Sequence, residues 1–381
     1  MRPTQMGDGD GRLLMKRFVM LSIVIVLAGA GAQAQNLNAL PRYHPSQPVS
    51  GTIRIWGNEY MSAVTRYWKE GFQKYHPAAK FEISLTGTAT AMPGIYNGLA
   101  DLALLGRDAN YADKNGFLHL LQYNPLRLDL TTGSLSAPGK SYALVVYVHK
   151  DNPISKLTVA QLSAIFGCEP RPGLDNIQTW GQLGLTGDWR NKSINLYGYD
   201  IKTGTGAFFL RAILGDSHKL NWGNFKEFKE IENADGSIYE ERRHLACIVR
   251  GHAASRQDAC APNGEYESGR QIVDALQRDR YGIAVSGARY ASPELKAVAL
   301  ASQEGGSYFQ ANRETLIART YPLTRVTYAF LNRPPGKPVD AQVKEFLRYV
   351  FSREGQEDIV RDGGYLPLSH EAIREQLKKL E

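Results

Sequence analysis

The feature that most limits the folds open to this chain is a repeated junction. A short alternating apolar segment runs into a turn rich in glycine, and a helical period follows. Residues 52–56 (TIRIW) alternate as a strand and end at Gly57; Met61, Val64, Trp68, Phe72 and Tyr75 then recur at helical spacing until His76-Pro77 stops them. Phe81, Ile83 and Leu85 alternate again before the turn at 86–91, and the pattern predicts a short helix over 92–99 and a buried strand over 101–105. Beyond a looser stretch, 142–149 and 193–198 read as strands, and 157–166 and 206–214 as helices. After an irregular polar region at 215–267, a helix is expected at 269–278, strands at 281–285, 297–301 and 326–331, and amphipathic helices at 340–352, 354–361 and after Pro367. Alternation of this kind predicts an α/β fold with mostly parallel sheets. The last helices should pack back on the first part of the chain, where strand 326–331 finds its sheet.

Composition narrows the class. At 381 residues, with 43% hydrophobic and 10% aromatic residues, the chain is too apolar for a disordered protein, and it is long enough for two lobes rather than one core. The net charge of +7 is spread along the sequence without a basic run. That dispersion argues against nucleic-acid binding and leaves two readings, a solvated basic surface or a bias toward anions.

The start of the chain has the layout of a secretory signal peptide. Residues 1–14 are polar and Met15 is a plausible start; Lys16 and Arg17 form a positive n-region, 18–32 are apolar, and Ala32-Gln33-Ala34 supplies small residues for cleavage after Ala34. The run is short for a membrane span, and no cysteine near the cut suggests a lipoprotein anchor. The expected location is therefore the periplasm. In that oxidising compartment Cys247 and Cys260 are expected to form a disulfide and Cys168 to stay free, while His244, Cys247, His252 and Cys260 match no common zinc spacing.

Three turns carry chemistry: Gly57-Asn58-Glu59-Tyr60, Gly87-Thr88-Ala89-Thr90-Ala91 and Lys202-Thr203-Gly204-Thr205-Gly206. Backbone amides at a helix start, with small hydroxyls beside them, suit an oxyanion; each turn alone reads more readily as an N-cap. Their order, with Asn97-Gly98-Leu-Ala-Asp101, Gly106-Arg107, Asp151-Asn152-Pro153, Tyr321-Pro322-Leu323-Thr324-Arg325 and Gly364-Tyr365-Leu366-Pro367-Leu368, resembles the high-affinity phosphate-binding proteins of bacterial ABC importers, within the type II periplasmic-binding-protein superfamily.

The resemblance implies a two-lobed α/β fold with mixed sheets flanked by helices, lobe 1 from 50–143 and 326–381 and lobe 2 from 144–325 with a polar insertion at 215–267, and no metal or cofactor. It places the ligand, inorganic phosphate or a related tetrahedral oxyanion such as sulfate, molybdate or tungstate, in the cleft between the lobes, and implies an ABC permease as partner and a monomer. By the same resemblance Tyr60 lines the cleft and offers its backbone N–H, Thr88 and Thr90 lie at one helix start, Arg107 gives a charged fork, and Thr203, Gly204 and Thr205 close from the second lobe. Departures fall at Tyr199, where the family has an arginine, and at Glu59, where it has a hydroxyl; Lys202 is then a candidate replacement charge, and Glu59 a candidate proton acceptor. A sensor or interaction module on the same fold is the alternative. A phosphatase-like enzyme built on Asp101 and Asp108 is a weaker one, because no GxSxG, HExxH or Walker-type loop occurs.

Overall fold

The computed structural model describes residues 37–169, 175–215, 217, 219–228 and 268–381. In chain order, the first stretch gives β1 (Gly51–Gly57), α1 (Ser62–Gln73), β2 (Ala79–Ser84), α2 (Thr88–Tyr96), β3 (Leu102–Leu105), α3 (Tyr111–Leu121) and β4 (Leu126–Thr132). The middle gives β5 (Leu144–His149), β6 (Lys156–Thr158), α4 (Val159–Phe166), β7 (Asn195–Tyr199), α5 (Gly204–Leu214) and β8 (Phe225–Phe228). Then come α6 (Ser268–Gln277), β9 (Gly282–Gly287), β10 (Leu295–Ala297), β11 (Ala299–Ala301), α7 (Arg313–Ile317), β12 (Val326–Leu331), α8 (Ala341–Val350), α9 (Arg353–Asp362) and α10 (His370–Lys379).

Two five-stranded mixed sheets organise these elements. The first has the order β2-β1-β3-β12-β4, with β1 parallel to β2 and β3, and β12 antiparallel to both β3 and β4. The second runs β10-β5-β9-β7-β8, with β7 parallel to β8 and β9, and β5 antiparallel to β9. Each has its own apolar core. Ile53, Ile55, Val64, Trp68 and Phe72 pack with Val343, Phe346, Leu347, Ile359 and Ile373, so the last three helices do close over the first sheet. Val146, Leu162, Phe166, Leu196, Phe209, Ile213 and Ile283 form the second core.

Several boundaries differ from expectation for identifiable reasons. The helix α2 starts at Thr88 rather than 92, because Gly87 takes φ 144° and lets the chain turn at once. The helix α3 was invisible to periodicity because it buries only Phe117 and exposes Tyr111, Leu118 and Leu120; an Asn110–Asp113 capping box starts it instead. The neighbouring β4 was also missed: its Asp129 and threonines are buried among leucines, blurring the alternation. The single strand expected at 297–301 is two, β10 in the second sheet and β11 beside β6, divided at Val298.

Two connecting segments carry the chain between the sheets, one from β4 to β5 and one running into β12. They are bonded to each other: Gly133 N donates to Arg325 O at 2.8 Å and Leu144 N to Leu323 O at 3.2 Å. No described helix is long and apolar enough to cross a membrane. Cys247 and Cys260 lie outside the described residues, as do His244 and His252; Cys168 is exposed and forms no disulfide among the described residues.

Candidate functional site

The first helix start is built from the ends of β1 and β3. Asn58 follows β1, is buried, and bonds through its N–H to Leu104 O at 2.9 Å. Its side chain then does two jobs. Oδ1 accepts the Tyr60 N–H at 2.9 Å, and Nδ2 donates to Thr88 Oγ1 at 2.8 Å. The Thr88 oxygen is thus an acceptor already, which leaves its own proton to be given elsewhere. Gly87, at φ 144° and ψ 150°, precedes α2 without a side-chain cap, a conformation open to glycine alone. The first amides of α2, at Thr88 and Ala89, have no hydrogen-bond partner among the described residues, as a helix start without a cap requires. Thr90 turns away from them and donates to Gly87 O at 2.8 Å.

The second helix start has a side-chain cap of its own. Thr203 is the N-cap of α5: its Oγ1 accepts from Gly206 N at 3.1 Å and donates to Asp200 O at 2.6 Å. Gly206 has no room for a side chain, since a β-carbon there would stand 2.2 Å from the Asp200 carbonyl oxygen. The amides of Gly204 and Thr205 have no partner among the described residues.

Gly106, Arg107 and Arg325 bring the two starts together. A β-carbon on Gly106 would lie 3.5 Å from the Asn58 amide, and one on Gly204 would lie 3.6 Å from Arg107 Cδ. Arg325 spans the junction: Nη2 donates to Gly106 O at 3.3 Å and Nη1 to Thr205 Oγ1 at 3.2 Å. The guanidinium lies 5.4 Å from the Phe208 ring, and only 7% of the residue is exposed. A second tie crosses at Asp108, whose Oδ2 is 3.4 Å from Arg127 and 3.5 Å from Arg211 on α5.

Thr88, Arg107, Gly204 and Thr205 therefore share one neighbourhood, while the other expected contributors have different roles. The Tyr60 amide is taken by Asn58, and its ring is exposed. The hydroxyls of Thr90 and Thr203 serve their own helix starts. Arg107 is no free fork: Nη1 holds Asp113 Oδ2 at 2.6 Å and Asp108 O at 2.9 Å. Glu59 and Lys202 are exposed, and Lys202 enters the turn through its backbone N–H, which donates to Asp200 Oδ1. Tyr199 is buried in the second sheet, where its hydroxyl accepts from Gly287 N at 3.2 Å; burial lifts its phenol far above the usual range, so it carries no charge. Asp101 and Asp108 are each held by arginine. Asp101 is bound by Arg54 at 2.6 Å and anchors its own strand, while Asp108 belongs to Arg127 and Arg211.

Asn58 and Arg325 were not singled out from the sequence. An asparagine after a strand and an arginine before one carry no periodic signal, and only burial distinguishes them. Among the described residues no cluster of His, Cys, Asp and Glu is arranged to hold a metal ion.

Comparison with known proteins places this arrangement. The model of the PBP superfamily domain matches residues 43–354. The phosphate-binding protein PstS of Pseudomonas aeruginosa is 29% identical over 366 residues, covering 95% of this chain and 98% of that protein. Protein SphX of Synechococcus elongatus is 22% identical over 319 residues, 83% of this chain and 77% of the relative. Among solved structures, PstS from Borrelia burgdorferi superposes with a TM-score of 0.52 at 14% identity, over 84% of this chain and all of that one, a likeness of fold. With a family match across most of its length and two mixed sheets joined as described, the chain belongs to the PBP superfamily and has the two-lobed fold of type II periplasmic binding proteins.

Proposed function

We propose that this protein is a periplasmic solute-binding protein that captures phosphate between its two lobes and delivers it to an ABC permease. Lobe 1 comprises 50–143 and 326–381, and lobe 2 comprises 144–325. The observation that carries the reading is the meeting of two helix starts from different halves, where the open amides of Thr88 and Ala89 and those of Gly204 and Thr205 flank Gly106 and Arg107. Such a start concentrates N–H groups and the positive end of the helix dipole, the environment that holds tetrahedral oxyanions. The 29% identical PstS, matched over nearly its full length, supplies the choice of phosphate.

In this reading the protein binds and releases without chemistry. Phosphate favours the closed arrangement, because only there do amides of α2 and α5 reach the same oxygen atoms. Residues 1–34 act as a signal peptide, cut after Ala34, with Met15 as the start; the mature protein is exported, carries no lipid and works as a monomer. Titration calorimetry of ligand-stripped protein with phosphate, sulfate, molybdate and tungstate tests the proposal. Phosphate should give the tightest binding; no heat and no thermal shift with millimolar phosphate would remove it as the ligand.

A further inference from the structure

We propose that Arg325 supplies the counter-charge for the bound anion, and that this role does not belong to Arg107. The inference rests on the anion-binding reading of the same junction. The two arginines stand on opposite sides of a simple electrostatic criterion. Arg107 keeps its side chain partly exposed and is neutralised by Asp113 at 2.6 Å. Arg325 is only 7% exposed, and the two hydrogen bonds of its guanidinium to described residues go to neutral oxygens, Gly106 O and Thr205 Oγ1, both at the long end of the hydrogen-bond range.

No carboxylate among the described residues pairs with Arg325. The ionisable groups that face it are phenols: Tyr142, Tyr199, Tyr328 and Tyr365. Burial raises the last three well above neutrality, Tyr328 to about 12, so these three offer no negative charge under ordinary conditions. Burial also lowers the pKa of Arg325 itself, the direction expected for a cation that has lost water and gained no anion. A guanidinium remains protonated all the same, and a buried charge without a partner is costly to keep. Contact with the Phe208 ring offsets part of that cost.

The geometry points to the missing partner. One arm of Arg325 reaches the carbonyl beside Arg107 and the other reaches the first turn of α5, so the guanidinium lies between the Gly106-Arg107 segment and the open amides of α5. Of its five N–H donors, two are used by described residues. An oxyanion held by α2 and α5 would neutralise Arg325 and accept the remaining donors in a charge-assisted, forked contact.

The test uses the full mature chain, stripped of ligand, in three forms: wild type, Arg325→Met and Arg325→Lys. Each is melted with and without inorganic phosphate and titrated by calorimetry. Arg325→Met should weaken phosphate binding by at least about 100-fold, since it deletes one partner of a buried charge pair. The empty Arg325→Met protein should melt at or above the wild-type temperature, because an uncompensated buried charge has gone. Arg325→Lys should recover part of the affinity. Phosphate affinity within about threefold of wild type in Arg325→Met, less than the discrimination one ordinary hydrogen bond provides, would overturn the proposal. So would a lowered melting temperature of the empty variant with no rescue by lysine, the mark of a structural residue. If wild type itself binds none of phosphate, sulfate or molybdate, the anion-binding reading fails first and this assignment with it.

Discussion

The two helix starts at the junction contain the same letters and use them differently. Before α5, Thr203 is a cap: its hydroxyl is acceptor and donor within its own turn, and the helix begins with its side-chain needs met. Before α2 there is no side-chain cap, only Gly87 in a conformation other residues avoid, and Thr88 is held by Asn58 with its proton uncommitted. One start carries a side-chain cap and the other does not. A threonine beside glycine therefore does not reveal which kind of start it belongs to. What decides is whether a neighbour from another strand has already claimed its oxygen.

Four substitutions would break or sharpen that contrast. Gly206→Ala should have the largest effect, because its β-carbon meets the Asp200 carbonyl; forcing the turn apart costs about 1–3 kcal/mol in urea denaturation and should abolish the phosphate response. Thr88→Val should lower phosphate affinity about tenfold, the scale of one hydrogen bond to a charged group, with a smaller change in the melting of the empty protein. Thr203→Ala should behave in reverse, losing about 1 kcal/mol of stability as a lost N-cap does, with Thr203→Ser restoring it and phosphate affinity nearly unchanged. Equal affinity losses at Thr88 and Thr203 would erase the distinction between the two starts. Asp113→Asn should give the smallest change, a gain in phosphate affinity of about two- to threefold at low salt as Arg107 loses its partner, fading as ionic strength rises.

Much of the fold was legible because burial leaves a period. The residues of α1, α8 and α10 repeat on one face, and β5 and β9 are buried along almost their whole length. What escaped lacked such a period: α3 is nearly all exposed, and β4 buries an aspartate that Arg319 holds at 2.6 Å from elsewhere in the chain. For the site, the sequence could point to helix starts, since glycine and threonine mark where a chain turns. It could not tell ligand donors from caps, nor find Asn58 and Arg325. Arg107 and Arg325 look alike as letters; only the position of Asp113, set by the capping box of an unforeseen helix, makes one neutralised and the other not.

The bonded pair of connecting segments has a mechanical result. Points beside an axle travel least when the parts around it swing, and Arg325 sits on that axle, its carbonyl fastened to Gly133. In the lobe closure proposed above, its charge would stay in place while the tip of α5 moved in or out. An incoming ion would meet the fixed cation first and the sweeping amides second, so capture speed would depend on dissolved salt and residence time on the grip of α5.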